Sequence, residues 1–236
     1  MARIILMVLR NLWIAPYLFW KLYYYAKHTD EYPYQEKWTV VHKIMARAVR
    51  SGNIDLKVTG RENIPAEDGF MLYGNHQGLF DVVALAGDYS RPLAAVLKKE
   101  LAEIPVLKQI RECTHSYAMD REDVRQSLTV IRNVTEQVEK GRTFLIFPEG
   151  TRSKNGNVMG EFHGGSFRAA QKAKCAIVPL CFIDSFKVLD QKGIRPVSVQ
   201  MHYLTPIPYE EYKDMKTVEI AELVKSRIQS CIDANT

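Results

Sequence analysis

Residues 69–81 read GFMLYGNHQGLFD, and this stretch decides the fold. The apolar run 69–74 is typical of a buried β-strand, and the polar residues after it begin a turn. Five residues of regular helix turn through about 500°, so His76 and Asp81 cannot share one face of a helix. The two side chains meet only if His76 lies in the turn and Asp81 lies one turn inside a following helix. Gly78 permits that tight turn, so the stretch predicts a strand, a turn and a helix that bring an imidazole beside a carboxylate.

The rest of the chain from Ile54 onwards alternates in the same way. Short apolar runs predict strands at 54–59, 69–74, 92–97, 115–119, 143–147, 176–183 and 196–203. Helical patterns lie between them, at 79–87, 98–110, 121–140, 165–174 and 216–232. The helix 121–140 takes Asp120 as its N-cap, and Gly141 follows its end. This alternation predicts an α/β fold with a central, mostly parallel sheet flanked by helices.

The N-terminal segment differs in composition from the rest. Residues 1–29 carry four basic side chains, no acidic one and seven aromatic ones. The run Asn11–Trp20 is uncharged but contains Pro16, so it is too short and too broken for a simple membrane span, and no signal-peptide pattern is present. A second helix, Glu36–Arg50, sets apolar residues opposite basic ones.

These patterns predict two units, an appendage at 1–52 and an α/β sheet domain at 53–236. The appendage is expected to be a two-helix membrane-associated unit that faces anionic lipid on the cytoplasmic face, as a monotopic or peripheral protein. The alternative is that both helices cap the core of a soluble domain.

The composition excludes other classes. The chain has 236 residues, 47% of them hydrophobic, which suffices for a sizeable core. Its four cysteines lack metal-ligand spacing, so no metal site is predicted, and a reduced cytosolic location follows. The net charge of +5 comes with membrane-type aromatics rather than with a readout helix, so no nucleic-acid partner is expected.

Three predicted strands end in chemically distinctive residues. The strand 69–74 leads to Asn75 and His76, the strand 115–119 to Arg121, and the strand 143–147 to the loop 148–153. Ligands of open α/β sheets collect at the carboxyl ends of the strands, so these turns are expected to face one cleft. Arg121 is either neutralised by its acidic neighbours or aimed at an anionic ligand.

Four sequence blocks carry a family resemblance. They are NHQGLFD at 75–81, MDR at 119–121, FPEGTRS at 147–153 and IVPL at 177–180. In this order they resemble the four blocks of the glycerolipid acyltransferases, and in particular the bacterial 1-acyl-sn-glycerol-3-phosphate (lysophosphatidate) acyltransferases. The resemblance implies a glycerol-3-phosphate acyltransferase-like fold and a role in phospholipid biosynthesis.

The resemblance also implies roles for individual residues. His76 matches the general base and Asp81 the carboxylate that orients it. The residues that match substrate-binding positions are Asn75, Arg121, Glu149, Gly150, Thr151 and Arg152, and Pro179 matches a position that shapes the acyl-donor side. His163 stands where the family commonly has a lysine, and is a candidate replacement for its contact. Lys98 and Lys99 are further candidates, with a solvated helix start as the alternative.

The expected reaction moves a fatty acyl group from a thioester to the sn-2 hydroxyl of lysophosphatidic acid. No cofactor is needed, because the acyl carrier protein or coenzyme A thioester is a co-substrate, and Lys98, Lys99, Lys108 and Arg111 suit an acidic carrier. The backbone N–H groups of Gln77 and Gly78 are candidate donors to the oxyanion. The alternatives are another lysophospholipid acceptor, a thioesterase or lipid hydrolase, and a peripheral membrane protein with an inactive acyltransferase domain.

Overall fold

The computed structural model describes residues 2–236. Its strands are β1 (Ile54–Thr59), β2 (Met71–Gly74), β3 (Leu93–Lys98), β4 (Tyr117–Met119), β5 (Thr143–Ile146), β6 (Ile177–Ile183) and β7 (Val197–Tyr203). The first helices are α1 (Ala2–Arg10), α2 (Ala15–Lys27), α3 (Tyr34–Ser51), α4 (Phe80–Asp88) and α5 (Leu107–Thr114). The later helices are α6 (Val124–Glu139), α7 (Arg168–Ala173), α8 (Phe186–Leu189), α9 (Tyr209–Tyr212) and α10 (Thr217–Asn235). Short 3₁₀ turns lie at Arg61–Asn63, Lys99–Leu101 and Gly164–Phe167.

The seven strands form one sheet in the order β1-β7-β6-β2-β5-β3-β4. Neighbouring strands are parallel, except that β7 runs antiparallel to β6. The predicted α/β fold with a mostly parallel sheet is therefore confirmed. Strands β2, β4 and β5 run in the same direction, so their carboxyl ends lie at one edge of the sheet, as the convergence of the three turns requires.

Both faces of the sheet are covered by helices. Along β2, Met71 and Tyr73 point into a core with α6, α7 and α10, while Leu72 points into a second core with α2, α3 and α4. All four residues of β2 are buried. A strand buried on both faces is a continuous apolar run rather than an alternating one, which is the pattern of residues 70–73.

The N-terminal segment has three helices, not the two that the sequence predicts. Helices α1 and α2 meet at an angle of 99°, and Pro16 lies at the start of α2, where a residue without an N–H is tolerated. No single helix in residues 2–236 is long and apolar enough to cross a bilayer, and the bent pair α1 and α2 meets this requirement by combined length and composition only. Trp38 of α3 shares a core with Leu72, so this segment packs directly on the sheet.

Arg3 attaches the first helix to the rest of the chain. Its side chain is buried, and its guanidinium donates to the backbone oxygens of Gly52 (2.6 Å), Val188 (2.9 Å) and Arg195 (2.9 Å). A buried cation is tolerated when its donors are satisfied in this way. Arg3 therefore ties α1 to the end of α3 and to the short helix α8.

Two predicted helices begin or break elsewhere. Helix α6 begins at Val124 rather than at 121, because the side chain of Asp123, not that of Asp120, caps it by accepting the N–H of Gln126 at 3.0 Å. The predicted helix 98–110 is a 3₁₀ turn followed by α5, and Pro105 lies at the break, where it disfavours a continuous helix.

Candidate active site

The imidazole of His76 and the carboxylate of Asp81 are in direct contact. His76 lies in the turn after β2, and α4 begins at Phe80, so Asp81 is the second residue of that helix rather than a full turn inside it. His76 Nδ1 lies 2.7 Å from Asp81 Oδ2. The side chain of Asp81 is fully buried and that of His76 is 17% exposed. The pair therefore has the oriented imidazole that a general base requires.

The Asp81 carboxylate also holds the turn that precedes its helix. Oδ2 accepts the backbone N–H groups of Gln77 (2.7 Å) and Gly78 (3.0 Å), and Oδ1 accepts the hydroxyl of Ser185. The expectation that Gln77 and Gly78 donate to the oxyanion is therefore wrong, because both N–H groups already bind this carboxylate. A carboxylate in the first turn of a helix is a natural acceptor for such donors.

The other ring nitrogen of His76 faces no protein partner. Within residues 2–236, Nε2 makes no hydrogen bond, and the ring of Phe147 stacks on the imidazole at 4.1 Å with an interplanar angle of 17°. When Nδ1–H donates to Asp81, Nε2 carries the lone pair that can take a proton. Phe147 was missed as a site residue in the sequence, although it is the first residue of the FPEGTRS block.

Both backbone groups of His76 are held by the loop 147–153. Glu149 accepts the His76 N–H on Oε1 at 2.7 Å and the Gly160 N–H on Oε2 at 2.7 Å, while Ser153 N–H donates to the His76 carbonyl oxygen at 2.7 Å. Glu149 is buried, and this burial raises its pKa in spite of the two N–H donors. Both oxygens of Glu149 are thus engaged in positioning the backbone.

Asn75 is engaged in a similar way. Its side chain is buried, donating to the carbonyl oxygen of Phe182 at 2.9 Å and accepting the Phe182 N–H at 2.8 Å. The amide of Asn75 therefore joins the end of β2 to β6. Pro179, another residue singled out in the sequence, lies buried within β6 opposite Tyr73 of β2.

Arg121, Gly150 and His163 come together from three separate segments. Gly150 has a φ of +67°, and a side chain there would bring its Cβ to 3.6 Å from the His163 ring and 3.8 Å from Arg121 Nε. In the part of the chain that the structure describes, Arg121 makes no hydrogen bond or ion pair. It lies in the loop before α6 rather than in the first turn of that helix.

Arg152 has a different environment. Its Nη1 lies 3.2 Å from Oδ1 of Asp190, and both side chains are exposed, as is that of Thr151. The same carboxylate adjoins the turn that carries His76, because a side chain at Gly78 would bring its Cβ to 2.6 Å from Asp190 Oδ2. A carboxylate of the protein therefore lies between the turn that carries His76 and Arg152, which the resemblance groups with the substrate-binding residues.

The basic residues near α5 are all paired with acidic ones. The ion pairs are Lys98 with Glu100 (2.9 Å), Lys99 with Asp120 (3.0 Å), Lys108 with Glu103 (2.6 Å) and Arg111 with Glu112 (2.5 Å). These lysines lie on the surface and are charge-compensated. Residues 2–236 contain no group of three or more His, Cys, Asp or Glu side chains placed to hold a metal ion.

Comparison with known proteins gives consistent matches. The family model described as Acyltransferase matches residues 55–183. The chain is 33% identical over 120 residues to the 1-acyl-sn-glycerol-3-phosphate acyltransferase of Helicobacter pylori, and that alignment covers 51% of each protein. It is 22% identical to a probable enzyme of the same name from Mycoplasma pneumoniae, over 89% of this chain and 85% of that protein.

A solved structure has the same fold over the whole length. The crystal structure of the 1-acyl-sn-glycerophosphate acyltransferase from Thermotoga maritima aligns with a TM-score of 0.74 at 24% identity, and the alignment covers 100% of this chain and 99% of that one. The match to Helicobacter pylori, by contrast, spans about half the length of that relative.

Proposed function

The chain belongs to the acyltransferase family, and we propose that it transfers a fatty acyl group from a thioester to the sn-2 hydroxyl of lysophosphatidic acid, giving phosphatidic acid. The observation that carries this proposal is the buried contact between His76 and Asp81, which leaves His76 Nε2 open on the solvent side of the turn. The names of the relatives supply the acceptor.

His76 acts as the general base in the proposed reaction. Nε2 takes the proton of the acceptor hydroxyl as its oxygen attacks the thioester carbon, and a base so placed contributes about 10²–10⁴ in rate. Asp81 stabilises the imidazolium that forms. When the C–S bond breaks, the proton passes from the imidazolium to the leaving thiolate. No covalent acyl–enzyme step is required, because the lipid hydroxyl is itself the nucleophile.

The acceptor phosphate is proposed to bind beside Arg121. This cation has no acidic partner in the described chain, and His163 and the backbone at Gly150 adjoin it. A guanidinium matches the oxygens of a phosphomonoester. Arg152 is a second candidate, and it must exchange Asp190 for the phosphate. Glu149 and Asn75 are proposed to support the site through their backbone contacts rather than to touch the substrate.

The N-terminal helices are proposed to rest on the cytoplasmic face of an anionic membrane. The apolar side chains of α1, α2 and the turn between them that stay exposed include Ile5, Leu9, Leu12, Trp13, Tyr17 and Trp20. Exposed apolar faces of this extent, interspersed with basic residues, are typical of helices that lie in the headgroup region. This arrangement would hold the cleft at the depth of a lipid acceptor.

The acyl donor is proposed to be a thioester of acyl carrier protein or of coenzyme A. The four basic residues near α5 that suited an acidic carrier are each compensated by a carboxylate. They therefore give little reason to prefer the carrier protein, and both donors belong in the assay.

The test is a purified-enzyme assay that crosses both donors with lysophosphatidic acid, lysophosphatidylglycerol and glycerol 3-phosphate. We expect transfer to lysophosphatidic acid, loss of transfer in His76→Ala, and full activity in His28→Ala, a histidine of the N-terminal segment paired with Glu31. Survival of activity in His76→Ala would exclude this residue as the base. Thioester hydrolysis without any acceptor would instead identify a thioesterase.

A further inference from the structure

Ser185 lies outside the four sequence blocks but contacts the catalytic pair. It follows β6 and precedes α8, and it is fully buried. Its hydroxyl lies within hydrogen-bond distance of two oxygens, Asp81 Oδ1 and, at 3.3 Å, Gln77 Oε1. A hydroxyl has one proton to donate. The hydroxyl donates its hydrogen bond to Asp81, because that contact is the shorter and the acceptor is charged.

This contact completes the environment of the carboxylate. Oδ2 of Asp81 accepts hydrogen bonds from the His76 ring and from two backbone N–H groups. Oδ1 accepts from Ser185, its only side-chain donor among residues 2–236. A buried carboxylate needs donors on both oxygens to remain charged at low cost. Without Ser185, Oδ1 would be left without a partner at 0% exposure.

We propose that Ser185 is a positioning residue, which holds the Asp81 carboxylate rotated so that Oδ2 faces His76. The inference rests on the proposed function, in which His76 is the base. Ser185 does not touch the substrate in this proposal. It acts through Asp81 alone, so its contribution to kcat should vanish when residue 81 is no longer a carboxylate that accepts its hydrogen bond.

The surroundings of Ser185 fix it in place. Its backbone N–H donates to Gln77 Oε1 at 3.0 Å, and Gln77 Nε2 donates to Asn157 Oδ1 at 2.8 Å. Asn157 Oδ1 also accepts the N–H of Asp184 at 2.9 Å. The amide of Gln77 can adopt only the orientation in which its oxygen faces Ser185 N–H, which orients the turn that carries His76. These contacts hold the backbone of Ser185 in place, and its hydroxyl lies beside Asp81 as a result.

The first test compares Ser185→Ala with Ser185→Thr. Loss of one hydrogen bond to a charged group should lower kcat about tenfold to hundredfold. The KM values for acceptor and donor should stay within about twofold, since neither substrate contacts Ser185. Ser185→Thr retains the hydroxyl and should recover most of kcat. A kcat for Ser185→Ala within twofold of the parent would overturn the proposal.

A double-mutant cycle separates positioning from a merely structural role. In the Asp81→Asn background, adding Ser185→Ala should reduce kcat by less than about twofold, because the carboxylate it serves is gone. An additional tenfold loss there would show that Ser185 acts independently of Asp81. Thermal melts of every variant are compared with Ser116→Ala, a buried serine bonded to Ala95 N–H and Thr114 that should lose stability but keep kcat.

The same set distinguishes the two claims. If His76→Ala is inactive and Ser185→Ala is fully active, the base assignment stands and the role of Ser185 is refuted. If His76→Ala is active, His76 is not the base, and the proposed role of Ser185 fails together with that assignment.

Discussion

Replacing Glu149 with Gln tests whether this residue binds substrate or holds the turn that carries His76. The carboxylate accepts one N–H on each oxygen, from His76 and from Gly160. A glutamine has one acceptor oxygen, so its NH₂ must face the second N–H. The variant therefore loses one charge-assisted hydrogen bond inside a buried site, worth about 1.5–3 kcal/mol. In a chain of this size the melting temperature should fall by about 3–12 °C.

The kinetic signature separates the two roles. If Glu149 positions His76, Glu149→Gln lowers kcat, by about threefold to tenfold if half of the lost free energy appears in the barrier. The KM for lysophosphatidic acid should stay within about twofold. If Glu149 contacts the acceptor, KM should rise instead while kcat changes little. Initial rates across an acceptor series at saturating donor distinguish these outcomes.

The matched control for this prediction is Glu161→Gln. Glu161 lies one residue after Gly160, is exposed, and forms no ion pair or hydrogen bond within the described residues. Glu161→Gln removes one negative charge, as Glu149→Gln does, but no buried hydrogen bond, so its melting temperature and kinetics should match those of the parent. An unchanged melting temperature in Glu149→Gln, or equal losses in both variants, would refute the reasoning.

Three further predictions follow from other features. Asp190→Asn should lower the KM for lysophosphatidic acid and leave kcat unchanged, because Arg152 then no longer has to give up Asp190 to bind the phosphate. An exposed ion pair is worth only about 0.2–1 kcal/mol, so the decrease should be at most about fivefold. A raised KM would show that Asp190 helps to bind the acceptor. The double variant Ile5→Ser with Leu9→Ser should sediment less with anionic vesicles while retaining activity on detergent-dispersed substrate, whereas Val218→Ser on α10, equally exposed, should sediment as the parent does. Burial lowers the pKa of His115 from 6.5 to about 4. As the pH drops from 6.5 to about 4, His115 is protonated in the unfolded chain before it is protonated in the folded one, so the free energy of unfolding falls. His115→Asn suits the left-handed φ of 52° and should lose less stability between pH 7 and pH 5 in urea titrations; an equal loss in both proteins would assign the acid sensitivity to other groups.

Strands were predictable because each is a short apolar run with clear boundaries. Strand β1 lies at the predicted 54–59, and β2, β6 and β7 end at the predicted residues. The helix starts were less predictable, because capping depends on which of several acids reaches an N–H. Both Asp120 and Asp123 fit the pattern, and only the folded chain shows that Asp123 makes the bond.

The contact between His76 and Asp81 was predictable from spacing, whereas the roles of their neighbours were not. The resemblance groups Asn75 and Glu149 with substrate-binding residues, and the structure places both in backbone hydrogen bonds. Ser185 lies 104 positions from Asp81 and in no shared block, so no local pattern could connect the two. Such long-range contacts depend on the pairing of β2 with β6, which spacing alone does not specify.

The hydrogen bonds of the Arg3 guanidinium bear on how this protein can be handled in the laboratory. One of them holds Val188, three residues after Ser185, so removing α1 would also release the segment that reaches Asp81. A chain shortened by α1 to avoid detergent would therefore be a poor reagent for kinetics, since the loss of turnover could not be separated from the loss of lipid contact. Surface substitutions on the exposed side of α1 keep Arg3 in place, and they are the sounder route to crystals and to assays free of bilayer.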